Sequence, residues 1–357
     1  MSSFVHLHNH THYSLLDGAI DIQKLFRRAA ELKMDTLAIT DHGNMFGALD
    51  FYLEAKKHGI KPIIGMEAYI APGNRFDKKS GGKGGKQSAY HLLLLAKNNT
   101  GYKNLMKLSS LGYTEGFYYR PRIDKEILKK YHEGLIASSA CMKGEVFQKL
   151  NYGDKKEAIK TIEEYLEIFG EDFYLEIQNH GIPEEAGYEN IYKIAKEMKV
   201  PVIATNDVHY LEKDHYSSHD VLLCVQSGKN VHEENRMRYN TTELYLKNVD
   251  EMYKTFSDKT EALENTLAIA EKCNVELDTG KLLLPRFPLP IEREKETLDD
   301  YLRTVAYEGA ESLYGEIGDE IQKRLDYELK VIKKTGFAGY FLIVKDFIDF
   351  ARQHDIP

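Results

Sequence analysis

Short apolar, β-branched runs recur through residues 4–205, each followed by a stretch of helical spacing, and this alternation limits the chain to few folds. The runs are FVHLH (4–8), TLAIT (36–40), KPIIGMEAYI (61–70), HLLLLA (91–96), GLIAS (134–138), FYLEI (173–177) and PVIAT (201–205). Between them, residues 21–33, 47–58, 154–169 and 183–199 place apolar side chains at i, i+3, i+4 and i+7, with Ile22, Leu25, Phe26, Ala29, Ala30 and Leu32 forming one such stripe. Strand alternating with helix predicts an α/β protein with a parallel sheet, and seven such units suffice to close a TIM-like barrel. An open doubly wound sheet is the alternative topology. With 42% hydrophobic and 29% charged residues, the chain reads as an ordinary globule, which excludes disordered, collagen-like and fibrous classes.

Two segments break the pattern. Residues 73–88 (GNRFDKKSGGKGGKQS) are rich in glycine and lysine and read as a mobile surface loop, without the GxxxxGK[ST] spacing of a phosphate-binding loop. The second break is LLLPRFPLPIEREKET, where Pro285, Pro288 and Pro290 can continue neither a helix nor a central strand. Here we expect the boundary between a first domain of residues 1–280 and a second region of residues 281–357. Beyond it, residues 298–313 and 316–334 read as helices, the latter with Ile317, Ile321, Leu325, Leu329 and Ile332 on one face. The last segment stops at Pro357 with no closing element, as if cut from something longer.

Cys141, Cys224 and Cys273 are odd in number and widely spread, so a reducing compartment is expected and a functional cysteine would be a ligand or nucleophile. The N-terminal MSSFVHLHNH has no basic stretch ahead of an apolar core, and no apolar run reaches membrane-spanning length. A cytoplasmic protein with no membrane partner is the expectation. Lys and Arg total 48 against 56 Asp and Glu, a formal charge of -8, so a nucleic-acid substrate would need a local basic patch or a metal to receive its phosphates.

The chemistry-bearing residues gather at run ends. HLHNHTHYSLLDG offers His6, His8, His10, His12 and Asp17; TDHGN adds Asp41 and His42; the third run contains Glu67; ASSAC brings Cys141; and ATNDVH brings Asp207 and His209. Residues two apart on a strand share a face, so His8 and His10 can grip one ion, and in a parallel barrel all carboxyl ends meet on one face. Imidazole, thiolate and carboxylate together suit Zn²⁺, with Mn²⁺ or Fe²⁺ where oxygen dominates. So many ligands exceed one tetrahedral ion. A bridging carboxylate such as Glu67 would allow two, the arrangement that cleaves phosphate esters. Singly, His6, His12 and His180 read better as hydrogen-bonded structural residues, Cys141 as a small buried apolar group, and Asp207 as a helix cap.

The strings HLHNHTHYSLLDGA, LAITDHGNMFGALDFY, GIKPIIGMEAYIAP, YHLLLLAKNNTGYKNL, FYLEIQNHG, VIATNDVHY and GYFLIVKDF, in this order, resemble the N-terminal part of bacterial DNA polymerase III alpha subunits, with their polymerase and histidinol phosphatase (PHP) domain. The resemblance covers essentially the whole chain. It implies a distorted seven-stranded (β/α)₇ barrel over residues 1–280, then a linker and the mainly helical start of the polymerase palm. It further implies three divalent ions, Zn²⁺ first. One would be held by His8, His10, Glu67 and Asp207; a second by the shared Glu67 with His91 and Cys141; a third by Asp17, His42 and His209. His91 and Asp17 enter through the resemblance alone, since His91 begins its run and Asp17 lies in a loop.

Family members with the full set resemble metal-dependent 3′–5′ exonucleases, which implies a metal-bridging hydroxide held by Glu67, His8, His10 and Asp207 that attacks the terminal phosphodiester. Arg120 and Arg122, with Tyr118 and Tyr119 in FYYRPRID, could guide single-stranded DNA by charge and stacking, although a solvated loop with core tyrosines reads equally well. The palm carboxylates of the family lie beyond residue 357, so polymerase activity would belong to the longer protein. Its partners would be DNA and other replicase subunits, such as the sliding clamp, a proofreading subunit or the clamp loader. Two alternatives remain: a metal-stabilised structural module that binds a separate proofreading subunit, and a small-molecule phosphatase of histidinol-phosphate type.

Overall fold

The computed structural model describes residues 4–78, 89–280 and 284–357. Much of the loop expected at 73–88 therefore lies outside the described residues. Among those described, the strands are β1 (Thr36–Ile39), β2 (Lys61–Ile70), β3 (Tyr90–Ala96), β4 (Phe117–Tyr118), β5 (Arg120–Ile123), β6 (Leu135–Ser138), β7 (Phe173–Ile177) and β8 (Val202–Ala204). Each of the apolar runs from TLAIT onward becomes a strand. The first run, FVHLH, is extended without regular strand pairing, yet it closes the barrel. Ala38 N–H donates to His6 O (3.2 Å) and Thr40 N–H to Asn9 O (3.0 Å) on one side. On the other, His10 N–H donates to Val208 O (2.8 Å) and Val208 N–H to His8 O (3.1 Å).

Around the barrel the order is residues 5–10, β1, β2, β3, β6, β7 and β8, with β1–β2, β6–β7 and β7–β8 parallel. The expected all-parallel sheet is corrected at one strand: β3 runs antiparallel to both β2 and β6. This reversal is the distortion of the barrel, and it puts the first residues of β3 level with the last residues of its neighbours. The small hairpin β4–β5, which hydrophobic periodicity did not reveal, adds to the end of β2 through Tyr69 and Ile70.

The helices follow their apolar stripes. Helix Ile22–Glu31 starts where the Asp21 carboxylate accepts from Lys24 N–H (2.9 Å), and it buries Ile22, Leu25, Phe26 and Ala29. Phe26 meets Phe51 of helix Ala48–His58 with ring centroids 4.8 Å apart. Each such fully buried side chain contributes about 1.5–3 kcal/mol. The stretch expected as one helix over 183–199 divides into a 3₁₀ turn at Pro183–Gly187 and helix Tyr188–Met198. The chain forms two compact units, Met1–Leu277 and Asp278–Pro357. The second holds helices Leu298–Tyr314, Asp319–Thr335 and Ala338–Gln353 around a small core of Leu302, Ala338 and Leu342. Among the described residues no helix is long and apolar enough to cross a membrane.

Candidate metal centre

The side chains singled out at the run ends converge on one end of the barrel. His8 and His10 leave the first extended segment on one face, and Asp207 follows β8 with its backbone held at φ 45. Ala140, just ahead of Cys141, and Leu16, just ahead of Asp17, also sit at positive φ (57 and 62). Non-glycine residues are uncommon in this region, and three of them flank the site.

His8 Nε2 lies 3.3 Å from both Glu67 Oε1 and Asp207 Oδ1, while His10 Nε2 lies 3.1 Å from Asp207 Oδ1 and 3.8 Å from Glu67 Oε2. On the other side of Glu67, Oε1 is 2.8 Å from His91 Nδ1 and 3.5 Å from Cys141 Sγ. A third group has His42 Nε2 at 3.2 Å and His209 Nε2 at 3.8 Å from the Asp17 carboxylate, with His42 Nδ1 2.6 Å from Glu67 Oε2. Asp17, which periodicity left in a loop, is brought in by a turn in which Asp17 N–H and Gly18 N–H both donate to Ser14 O. His91 arrives because β3 is reversed: its first turn faces the same end as the others' last.

Three ring orientations follow from their neighbours. Glu176 Oε1 can only accept, so His8 Nδ1–H donates to it (2.7 Å). Ser14 Oγ gives its proton to Asp41 Oδ1 (2.7 Å), so it accepts from His10 Nδ1–H (3.0 Å). The carbonyl of Asp207 accepts from His209 Nδ1–H (2.7 Å). Each ring thus turns its Nε2 toward the carboxylates; on His8, against burial, the carboxylates of Asp207, Glu176 and Glu67 raise the pKa well above its ordinary value, so this nitrogen holds a proton that an incoming ion must displace. Asp17 Oδ1, His42 Nδ1, Glu67 Oε2 and Asp207 Oδ1 are buried beside them. Carboxylates and imidazoles buried this close together need a proton or a cation between them; against burial, Glu67 and Asp17 push His42 up to about 9, so it holds a proton that an ion could replace. Donor atoms on a tetrahedron with bonds of about 2.0–2.1 Å stand about 3.3–3.4 Å apart, which the His8 and His10 contacts with Asp207 (3.3 and 3.1 Å) approach, while His42 and His91 sit nearer Glu67 at 2.6 and 2.8 Å. The residues therefore fit divalent ions.

Burial opposes charge throughout, but neighbours decide the outcome. On Glu67, His91, His42 and His8 outweigh burial and hold the carboxyl well below its usual range. Asp207 is held down by His8 and His209, and Asp17 by His42 and His209. Burial, then His42 and His209, pushes His10 down to about 3, which leaves it neutral and ready to ligate. Burial, then Glu67 and Asp207, pushes the Cys141 thiol up, so loading an ion there must displace its proton.

The structural readings of the remaining histidines fit their contacts. His6 Nε2 bonds Lys247 O (2.8 Å), His12 Nδ1 bonds Ile20 O (3.0 Å), and His180 bridges Glu185 and Asn206 O. The expectation for Arg122 is corrected. It is 3% exposed, with Nε donating to the carbonyl of Gly116 and Nη2 to the carbonyls of Arg75 and Asp77 while the guanidinium covers the Tyr118 ring, so the group is spent inside the fold and is not presented to a strand. Arg120 and Tyr119 are exposed, and Arg120 lies 5.6 Å from the ring of Tyr69, itself 5.1 Å from His91. Sequence reasoning missed Ser14, Tyr69, Glu176, His219 and Tyr239. His219 bonds Asp17 O (2.7 Å), and Tyr239 lies against both His209 and His219. Only Glu176 left a signal: a charged residue inside the apolar run FYLEI.

The PHP domain family matches residues 6–180, and the bacterial DNA polymerase III alpha NTPase domain family matches residues 300–357. The chain belongs to the DNA polymerase III alpha family and carries its PHP domain. Similarity extends over the full chain to DNA polymerase III subunit alpha of Borreliella burgdorferi (47% identity, 100% of this chain and 31% of the relative). The same protein of Treponema pallidum is 44% identical (99% and 30%), and that of Aquifex aeolicus 45% (99% and 32%). The chain thus spans about a third of the length of these relatives. Among solved structures, an amidohydrolase from Chromobacterium violaceum shows a distant likeness to this chain, with a TM-score of 0.40 at 13% identity over 57% of this chain and 87% of that one.

Proposed function

We propose that the PHP domain binds three divalent ions, Zn²⁺ first, and cleaves the terminal phosphodiester of a DNA 3′ end. The observation that carries this reading is the convergence of buried and half-buried ligand atoms, all within 4.8 Å of one another in each group, from His8, His10 and Asp207, from His10, His42 and His209, and from His42, Glu67 and His91. His8, His10, Glu67 and Asp207 would hold the first ion, Glu67, His91 and Cys141 the second, and Asp17, His42 and His209 the third. Bound there, the ions supply a hydroxide nucleophile and neutralise the phosphate. Glu67 uses both carboxylate oxygens, one toward His8, His91 and Cys141 and the other toward His10 and His42, and so ties the groups together. Side-chain exposure is 12% at His42, 9% at Asp17 and 13% at Asp207, against 0% at His8 and His10, so substrate would enter from that side. Arg120 and Tyr119 would meet the strand outside.

The longer protein would be a DNA-directed DNA polymerase of the cytoplasm, acting with DNA and other replicase subunits, and residues 281–357 would begin its palm. The test is degradation of a 5′-labelled, mismatched primer–template by metal-stripped protein reloaded with Zn²⁺ or Mn²⁺, beside Asp207→Asn. Stepwise 3′ shortening that needs metal and vanishes in Asp207→Asn is expected. No shortening in any metal, with ions still bound, would leave the centre a structural one.

A further inference from the structure

We propose that Glu176 and the Asp41–Ser14 pair are positioning residues of the metal centre, each locking one histidine so that its Nε2 faces the ion. This rests on the metal-centre reading above and adds residues that ligate nothing. Glu176 is 0% exposed and makes no ion pair with any Lys or Arg among the described residues. A carboxylate buried without such a partner is costly unless its oxygens are fully hydrogen-bonded. Here they are: Oε1 accepts from His8 Nδ1 (2.7 Å), Gln178 Nε2 (3.1 Å) and Thr205 Oγ1 (2.5 Å), and Oε2 accepts from Ser138 Oγ. The donors come from β6, from the chain just past β7 and from just past β8. Glu176 thus ties His8 to the strand ends that lead to Cys141 and Asp207.

His10 is locked by a different chain of bonds. Asp41 is 1% exposed and accepts from Thr11 N–H (2.6 Å), Thr11 Oγ1 (2.8 Å) and Ser14 Oγ (2.7 Å). Ser14 Oγ accepts in turn from His10 Nδ1–H and from His42 N–H (3.1 Å). One serine therefore sets the ring of His10 and the backbone entering His42. Glu176 and Ser14 share one feature, a hydrogen bond to Nδ1 on the far side of a ligand ring, and Asp41 orients Ser14 for it. Such partners fix tautomer and ring orientation, and their loss typically weakens metal affinity about 10–100-fold.

The test compares wild type, Glu176→Gln, Ser14→Ala and Thr205→Val by Zn²⁺ competition with a chromogenic chelator, by the visible spectrum after Co²⁺ substitution, and by thermal melting without metal. Thr205→Val removes a bond from the same carboxylate without touching His8, so it reports the purely structural part. Glu176→Gln and Ser14→Ala are expected to weaken the tightest Zn²⁺ binding at least tenfold and to alter the Co²⁺ spectrum. Thr205→Val should keep both within about threefold of wild type despite a similar fall in melting temperature. Unchanged affinity in both variants, or an equal loss in Thr205→Val, overturns the proposal. If wild-type protein binds no Zn²⁺ or Co²⁺, the metal-centre reading fails, and this inference falls with it.

Discussion

Protonation of His6 gives a prediction whose size can be worked out. The ring is 2% exposed, Nε2 donates to Lys247 O at 2.8 Å, and Nδ1 faces no partner. Burial pushes its pKa from the ordinary 6.5 down to about 4, against the hydrogen bond to Lys247 O, which raises it, and with the Lys247 charge, which lowers it. Between those values the unfolded chain binds a proton that the folded chain does not, so stability is full above pH 6.5 and falls as pH drops toward 4. At about 1.36 kcal/mol per pKa unit, the loss from pH 7.5 to pH 4.5 is about 2.5 kcal/mol from this one residue. In His6→Gln the amide can still donate to Lys247 O, but nothing titrates there. Urea unfolding of both proteins in chelator, at half-unit steps of pH, isolates the contribution because every other titrating group is common to the two. The stability difference, wild type minus variant, should become less favourable to wild type by about 2.5 kcal/mol across that range. A difference that does not change with pH would refute the assignment of His6 as a neutral, buried ring.

Other outcomes follow from the same geometry. Gly18→Ala would place a Cβ 2.1 Å from the backbone carbonyl oxygen of Thr11, which cannot swing aside, in the loop that carries Ser14 and Asp17; it should cost about 1–3 kcal/mol by chemical denaturation and loosen Zn²⁺ binding as well. Arg122→Ala should lower stability by about 2 kcal/mol or more by stranding buried carbonyls. Arg120→Ala should leave the melting temperature unchanged while reducing the salt slope of single-strand DNA binding by about 0.7 for one lost phosphate contact. Chelation should lower the melting temperature of protein as purified, and Zn²⁺ at 100 times its dissociation constant should restore about 2.7 kcal/mol; an unchanged melting curve would exclude a resident ion.

What the sequence determined by itself was the periodic part of the protein. Strands and helices announced themselves because burying one face of a strand or helix demands apolar residues at fixed spacing. For the same reason His8, His10, His42, Glu67, Cys141, Asp207 and His209 could be collected at run ends before any coordinates. Tertiary structure decided whatever depends on strand direction and on what a side chain meets across the sheet. The TIM-like reading had every strand parallel, which would send His91 to the far end; the reversal of β3 returns it to the centre. Arg120 and Arg122 differ by two positions, yet one is exposed and the other is consumed by carbonyls at Gly116, Arg75 and Asp77. Hydrogen bonds such as Glu176 to His8, separated by 168 positions, leave no periodic trace. A local pattern records how a segment buries its own face, whereas the partner of a buried polar atom is set by the packing of distant segments.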